Sequence, residues 1–149
     1  MFYFHGCSLL KLANKETTTF VRKHYIGRAS TENFQKDIGG VLLAFDYHIK
    51  EYNNGPTSSY IISRWKIRDT SEGDSITEFK ESKTRLIING MIDNQSFDLN
   101  NGFRYDCFLK VENFAYNGSD FVPHFEDVEL NKQINIMIEK FSSFLSLTK

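Results

Sequence analysis

The sequence predicts an α+β fold: a single antiparallel β-meander of about six to eight strands, curved or closed into a partial barrel, under a long C-terminal amphipathic helix. Three observations carry this. Apolar and polar residues alternate through residues 41–52, 57–68, 84–92, 95–99 and 103–112. Tight-turn signals, Asn53-Asn54-Gly55, Asp93-Asn94 and Asn100-Asn101-Gly102, separate several of those runs. Beyond them, Leu130, Ile134, Met137, Ile138, Phe141 and Leu145 recur at helical spacing, predicting a helix over 126–147.

Loop length tests each hairpin, because a slip of one residue moves every apolar side chain to the opposite face. Val41, Leu43, Phe45, Tyr47 and Ile49 would share a face with Ile61, Trp65 and Ile67 if 53–55 form the loop. Tyr47 then lies opposite Ile61, Leu43 opposite Trp65, and His48 opposite Tyr60. A turn at Asp93-Asn94 pairs Ile88 with Leu99 and sets Gly90 beneath Phe97. A loop at 100–102 pairs Phe97 with Tyr105 and continues the face Phe103, Tyr105, Cys107, Leu109 and Val111. Residues 75–80 and the Thr-rich, β-branched stretch 17–27 are read as further strands. Ser30 is placed as the cap of a short helix over 31–38, stopped by Gly39-Gly40. Pro123 marks entry to the last helix, and Glu126, Asp127 and Glu129 complement its positive end.

A length of 149 residues without linkers, repeats or low-complexity tracts suits one domain spanning 1–149. Its 14 Phe argue for a dense core. A net charge of −1 gives no global attraction to nucleic acid or acidic membranes. Cys7 and Cys107 make no disulfide framework, and Cys107 stands in an apolar strand register. The opening Met-Phe-Tyr-Phe-His lacks the basic and apolar regions of a secretory signal. No run approaches the ~20 apolar residues that cross a bilayer. A cytoplasmic location is the expectation.

The order of early strand, short helix, meander and long final helix resembles the helix-grip fold of START and Bet v 1-like proteins, and more loosely the lipocalins. The only Trp is Trp65, so the lipocalin Gly-x-Trp near the N-terminus is absent. This resemblance implies a cavity for a small apolar ligand.

The first hairpin carries the most chemically marked face. Asp46, His48 and Lys50 alternate on one strand, and Tyr60, Arg64, Lys66 and Arg68 on the next. Such a patch suits an acidic protein surface, although a solvated sheet face with cross-strand ion pairs accounts for the same residues. Nucleic acid fits less well, since the aromatic platform for stacking is thin. Asp46 and His48 at i, i+2 would serve a small hydrolase or transferase as an acid–base pair, but no nucleophile accompanies them. No metal-ligand spacing, cofactor motif or Gly-rich phosphate loop occurs, and His5, His24 and His124 are scattered. Phe114, Tyr116 and Phe121 fall in a stretch read as a loop, either as binding anchors or as a plug for the core.

The leading expectation is a non-enzymatic protein-binding module, such as an intracellular inhibitor or immunity-type protein that masks a partner. Its candidate contact residues are His48, Tyr60, Arg64, Lys66, Arg68, Tyr116 and Phe121. A carrier of an apolar small molecule stands second and a hydrolase using Asp46 and His48 third. An exposed strand edge would also permit a homodimer.

Overall fold

A computed structural model describes residues 22–69, 79, 81–92 and 103–147. Among them, strands β1 (Arg22–Ser30), β2 (Ile49–Asn54), β3 (Ser58–Ser63), β4 (Lys66–Asp69), β5 (Glu81–Ile92), β6 (Arg104–Tyr116) and β7 (Phe121–Pro123) form one antiparallel sheet. Helices α1 (Phe34–Ala44) and α2 (Val128–Leu147) complete the α+β fold. The strand order is β1-β6-β5-β3-β2, with β4 also on β5 and β7 on β6, so the sheet stays open. The expected meander runs from β2 to β6, and β1 joins it beside β6.

Both helices share the core with one face of the sheet. Ile26, Ile61, Leu86, Ile88, Tyr105 and Leu109 meet Phe34, Ile38 and Leu42 of α1 and the predicted stripe of α2. Leu130, Ile134, Met137, Phe141 and Leu145 are at most 5% exposed. Five such side chains at about 2 kcal/mol each give roughly 10 kcal/mol of gross hydrophobic stabilisation before chain entropy opposes it. The start of α2 is capped from the side chain: Asp127 Oδ1 accepts the Leu130 N–H at 2.8 Å.

The segment 41–52 is corrected. α1 runs through Gly39-Gly40 to Ala44, because neither glycine adopts positive φ and Gly39 lets Ile49 approach closely. It ends in a Schellman arrangement. Asp46 takes φ 62°, the Tyr47 N–H donates to the Leu42 carbonyl, and the Asp46 N–H donates to the Leu43 carbonyl. Val41 and Leu42 are therefore buried helix residues, while Leu43 is 61% exposed. The cap differs too: Asn33 precedes the helix without a side-chain bond, and the Ser30 Oγ accepts the Glu32 N–H instead.

The first hairpin is shifted accordingly. Ile61 faces Tyr52 rather than Tyr47, Tyr60 faces Asn53 rather than His48, and residues 55–57 link the strands. The predicted strand 57–68 is two strands on the same side of β5. Ile62 pairs with Ile87, but Lys66 pairs with Thr84, so β3–β4 holds one residue more than its partner. That bulge reverses the faces beyond Ser63. The Ser63 Oγ repairs the ladder there, accepting the Leu86 N–H at 3.0 Å. Lys66 and Arg68 consequently turn to the helix side, and Ile67 turns to the open side.

β5 and β6 alternate as expected and run longer, so Phe114 and Tyr116 belong to a strand instead of a loop. Ile88 has Ile61 on one side and Leu109 on the other, and Leu99 is outside the described residues. Phe34 and Tyr105 lie closest over Gly90, and Phe97 is outside the described residues. The predicted strand 95–99, both turns flanking it, and 17–21 lie outside the described residues, as does nearly all of 75–80.

Candidate functional site on the open face of the sheet

Strict alternation in β5 and β6 produces two unlike surfaces. Ser82, Thr84, Leu86, Ile88 and Gly90 are buried beneath the helices, while Lys83, Arg85, Ile87 and Asn89 stand half-buried on the open face. Opposite them on β6 lie Phe114, Glu112, Lys110 and Phe108, with Tyr116 just beyond, across from Phe121 of β7.

Rings and cations interlock on this face. Trp65 meets Phe114 edge to face, with ring centroids 5.7 Å apart. The Lys83 ammonium lies 3.8 Å from the centre of the Phe121 ring and 5.2 Å from Trp65. The Arg85 guanidinium lies 4.5 Å from Trp65 and donates from Nε to Glu112 at 2.9 Å. Lys110 reaches the same carboxylate at 3.6 Å. Tyr116 packs on Phe121, with centroids 5.3 Å apart. Farther along, Lys23 covers Phe108 at 4.1 Å and Tyr25 meets the same ring at 5.5 Å. Each half-exposed cation–ring contact contributes about 0.5–1 kcal/mol, enough to orient a side chain.

Several acids of this face are engaged, while Asp69 and Glu81, paired across β4 and β5 beside Lys83, stand at its end. Arg28 pairs with Asp106 at 2.9 Å, and Asp106 also receives the Tyr25 hydroxyl. Burial, then the Asp106 charge, pushes the Tyr25 phenol above its ordinary pKa. The Tyr60 hydroxyl donates to Glu51 at 2.6 Å, and that bond raises its pKa.

The residues singled out from sequence separate into four places, His48 lying on the exposed turn after α1. Tyr60, Tyr116 and Phe121 stand on or beside the open face. Arg64 is exposed at the bulge. Lys66 turns inward, donating to the Phe45 carbonyl at 3.0 Å and lying over Tyr47. Arg68 is the most enclosed: it pairs with Asp127 at 2.8 Å and reaches Thr84 and Asn113 at 3.3 Å. Asn113 in turn donates to the His124 carbonyl. These bonds tie the sheet to the start of α2.

Asp46 and His48 do meet, at 3.4 Å, on a turn where their side chains are 74% and 62% exposed. The second oxygen of Asp46 lies 3.4 Å from Lys66, so this carboxylate links the end of α1 to β4. A groove of about 440 Å³ beside His48 is lined by Gly39, Leu43 and Ile49. The centre of the core between helices and sheet is tightly packed: Phe34, Leu42, Leu86, Tyr105, Met137 and Phe141 are each at most 1% exposed, and a small enclosed space of about 50 Å³ lies beside His24, Val111, Leu130 and Ile134.

Trp65, Lys83, Arg85, Phe108 and Lys23 are among the open-face residues that the sequence alone does not assign to a site, and Phe114 is read there only as one of three loop aromatics. Alternation over the predicted strand 84–92 carries a signal for Arg85, whereas Lys83 falls just before that run and joins its face only because β5 starts at Glu81. Among the described residues no cluster of His, Cys, Asp and Glu suits a metal ion. No helix there is long and apolar enough to cross a membrane. No protein-family model matches the chain, and comparison with curated proteins returned no match.

Proposed function

We propose that this chain is a non-enzymatic protein-binding module that docks a partner on the open face of its sheet. The observation that carries the reading is the asymmetry of the two faces. One is sealed by α1 and α2, whereas the other presents Trp65, Phe108, Phe114 and Phe121 among cations. Aromatic and Arg side chains in such a mixture are the groups that anchor protein interfaces. The packed centre of the core, beside an enclosed space of only about 50 Å³ at the start of α2, favours docking over carriage of an apolar small molecule. An inhibitor or immunity-type protein that masks its target from the cytoplasm is the concrete form, in keeping with the free thiol of Cys107.

Ile67 and Tyr25, 65% and 53% exposed at separate positions on this face, allow a test that leaves the core intact. Tagged wild type, the Ile67→Ser/Tyr25→Ser variant and a Glu139→Lys control on α2 are incubated with native lysate, and retained proteins are quantified. A partner retained by wild type and control but lost from the face variant is expected. Equal retention by all three folded proteins overturns the reading.

A further inference from the structure

The open face carries a diagonal track of cations. Lys83 and Arg85 stand on β5 opposite Phe114 and Glu112, Lys110 stands on β6, and Lys23 lies directly across from it on β1. A single carboxylate, Glu112, serves the middle of the track through Arg85 and Lys110. The two ends differ. Among the described residues Lys83 and Lys23 rest on rings and make no ion pair. The offset between these ends is four residues along the strands and two strand spacings across them, about 17 Å between backbones.

From this surplus we infer that the docking partner presents an acidic, extended protein segment, with carboxylates spaced to meet Lys83 and Lys23 at once. The inference rests on the docking reading above and specifies its chemistry. Five residues of extended chain span the same distance of about 17 Å. An incoming carboxylate can join each ammonium from its solvent side while the ring keeps its place below. A second copy of this chain presenting the same face would set cation against cation along most of the track: Asp106, Glu112 and Glu51 already have partners, and Asp69 and Glu81 lie together at the Lys83 end, far from Lys23. Nucleic acid would supply anions too, but its bases need bare ring faces. Here Lys83 and Arg85 lie over Trp65, Lys83 over Phe121, and Lys23 over Phe108. Trp65 and Phe114 meet edge to face, which offers no stacking platform.

The probes are fluorescein-labelled deca-glutamate and a labelled ten-nucleotide oligo-dT, titrated with the full chain at low salt and read by anisotropy. Deca-glutamate binding is expected to weaken at least tenfold in Lys83→Glu/Lys23→Glu, and to weaken as salt rises. Glu112→Gln, which removes the competing carboxylate, is expected to tighten it severalfold, a gain that misfolding would not produce. Melting curves establish that each variant is folded, and Lys83→Gln/Lys23→Gln replaces the reversal should it fail to fold. No binding of deca-glutamate, binding indifferent to the double variant, or tighter binding of oligo-dT overturns the inference. A lysate partner lost on Ile67→Ser/Tyr25→Ser but retained by the lysine variants overturns the acidic segment alone and leaves the docking face standing.

Discussion

Replacing Arg68 by Met leaves Asp127 buried beside Thr84 and Asn113 with its cation removed. Asp127 is 6% exposed, and only its Oδ1 keeps a partner, the Leu130 N–H that starts α2. Loss of one member of a buried pair costs about 3–5 kcal/mol. The Arg68 side chain is 16% exposed, so the lower end applies, about 3 kcal/mol. For a chain of this length that is a fall of roughly 6–12 °C in Tm. Adding Asp127→Asn removes the stranded charge while an amide oxygen still caps the helix. The double variant should therefore return to within about 1 kcal/mol of wild type. Urea unfolding of all four proteins, with unchanged m-values, gives the coupling energy directly. A loss below about 1 kcal/mol for Arg68→Met, the range of a surface pair, would refute the reasoning. So would a double variant as unstable as the sum of its parts.

Other expectations follow from single positions. A Cβ at Gly90 would lie 2.9 Å from both Phe34 and Tyr105, so Gly90→Ala should cost about 1–3 kcal/mol by chemical denaturation. Gly40 has open space around it on α1, and Gly40→Ala should instead stabilise by about 1 kcal/mol. Burial pushes the Asp37 carboxyl above its ordinary 3.8, against the weaker pull of Lys36, and its Oδ2 has no partner. Its neutral form is favoured in the fold, so stability is lost as pH rises from the unfolded value through the raised one. Asp37→Asn should thus raise Tm at pH 7, with the gain vanishing below about pH 4. Equal Tm differences at both pH values would contradict this. Burial also pushes the Cys107 thiol up to about 12. In a Cys7→Ser background, its reaction with a disulfide reagent should keep pace with unfolding in urea, and rapid labelling in native buffer would count against it.

Elements set by backbone period were legible from sequence. The twofold alternation of β5 and β6 and the stripe of α2 survive any arrangement of neighbours, because every residue in the run repeats the same instruction. α1 was harder. Gly39-Gly40 reads locally as a stop, and only contact with Ile49, ten residues on from Gly39, offsets the cost of helical glycine. The bulge after Ser63 was hidden for another reason: one extra residue leaves no compositional trace, yet it redirects everything after it. Tyr60, before the bulge, was placed on the correct face. Lys66 and Arg68, after it, were not, and Trp65 was assigned to the core side. Phe121 is legible as a candidate residue but not as a neighbour of Lys83, since that proximity depends on pairing between β5, β6 and β7.

The odd residue between Ser63 and Lys66 has a bearing on how this chain tolerates change in length. A deletion of Arg64 would remove the surplus and let the ladder run unbroken from Ile62 opposite Ile87 to Lys66 opposite Thr84. Arg68 would keep Asp127, and Ile67 would stay in solvent. An edge that already carries a spare residue can lose it without turning its neighbours over, so at this site both a substitution and a one-residue shortening should be nearly silent.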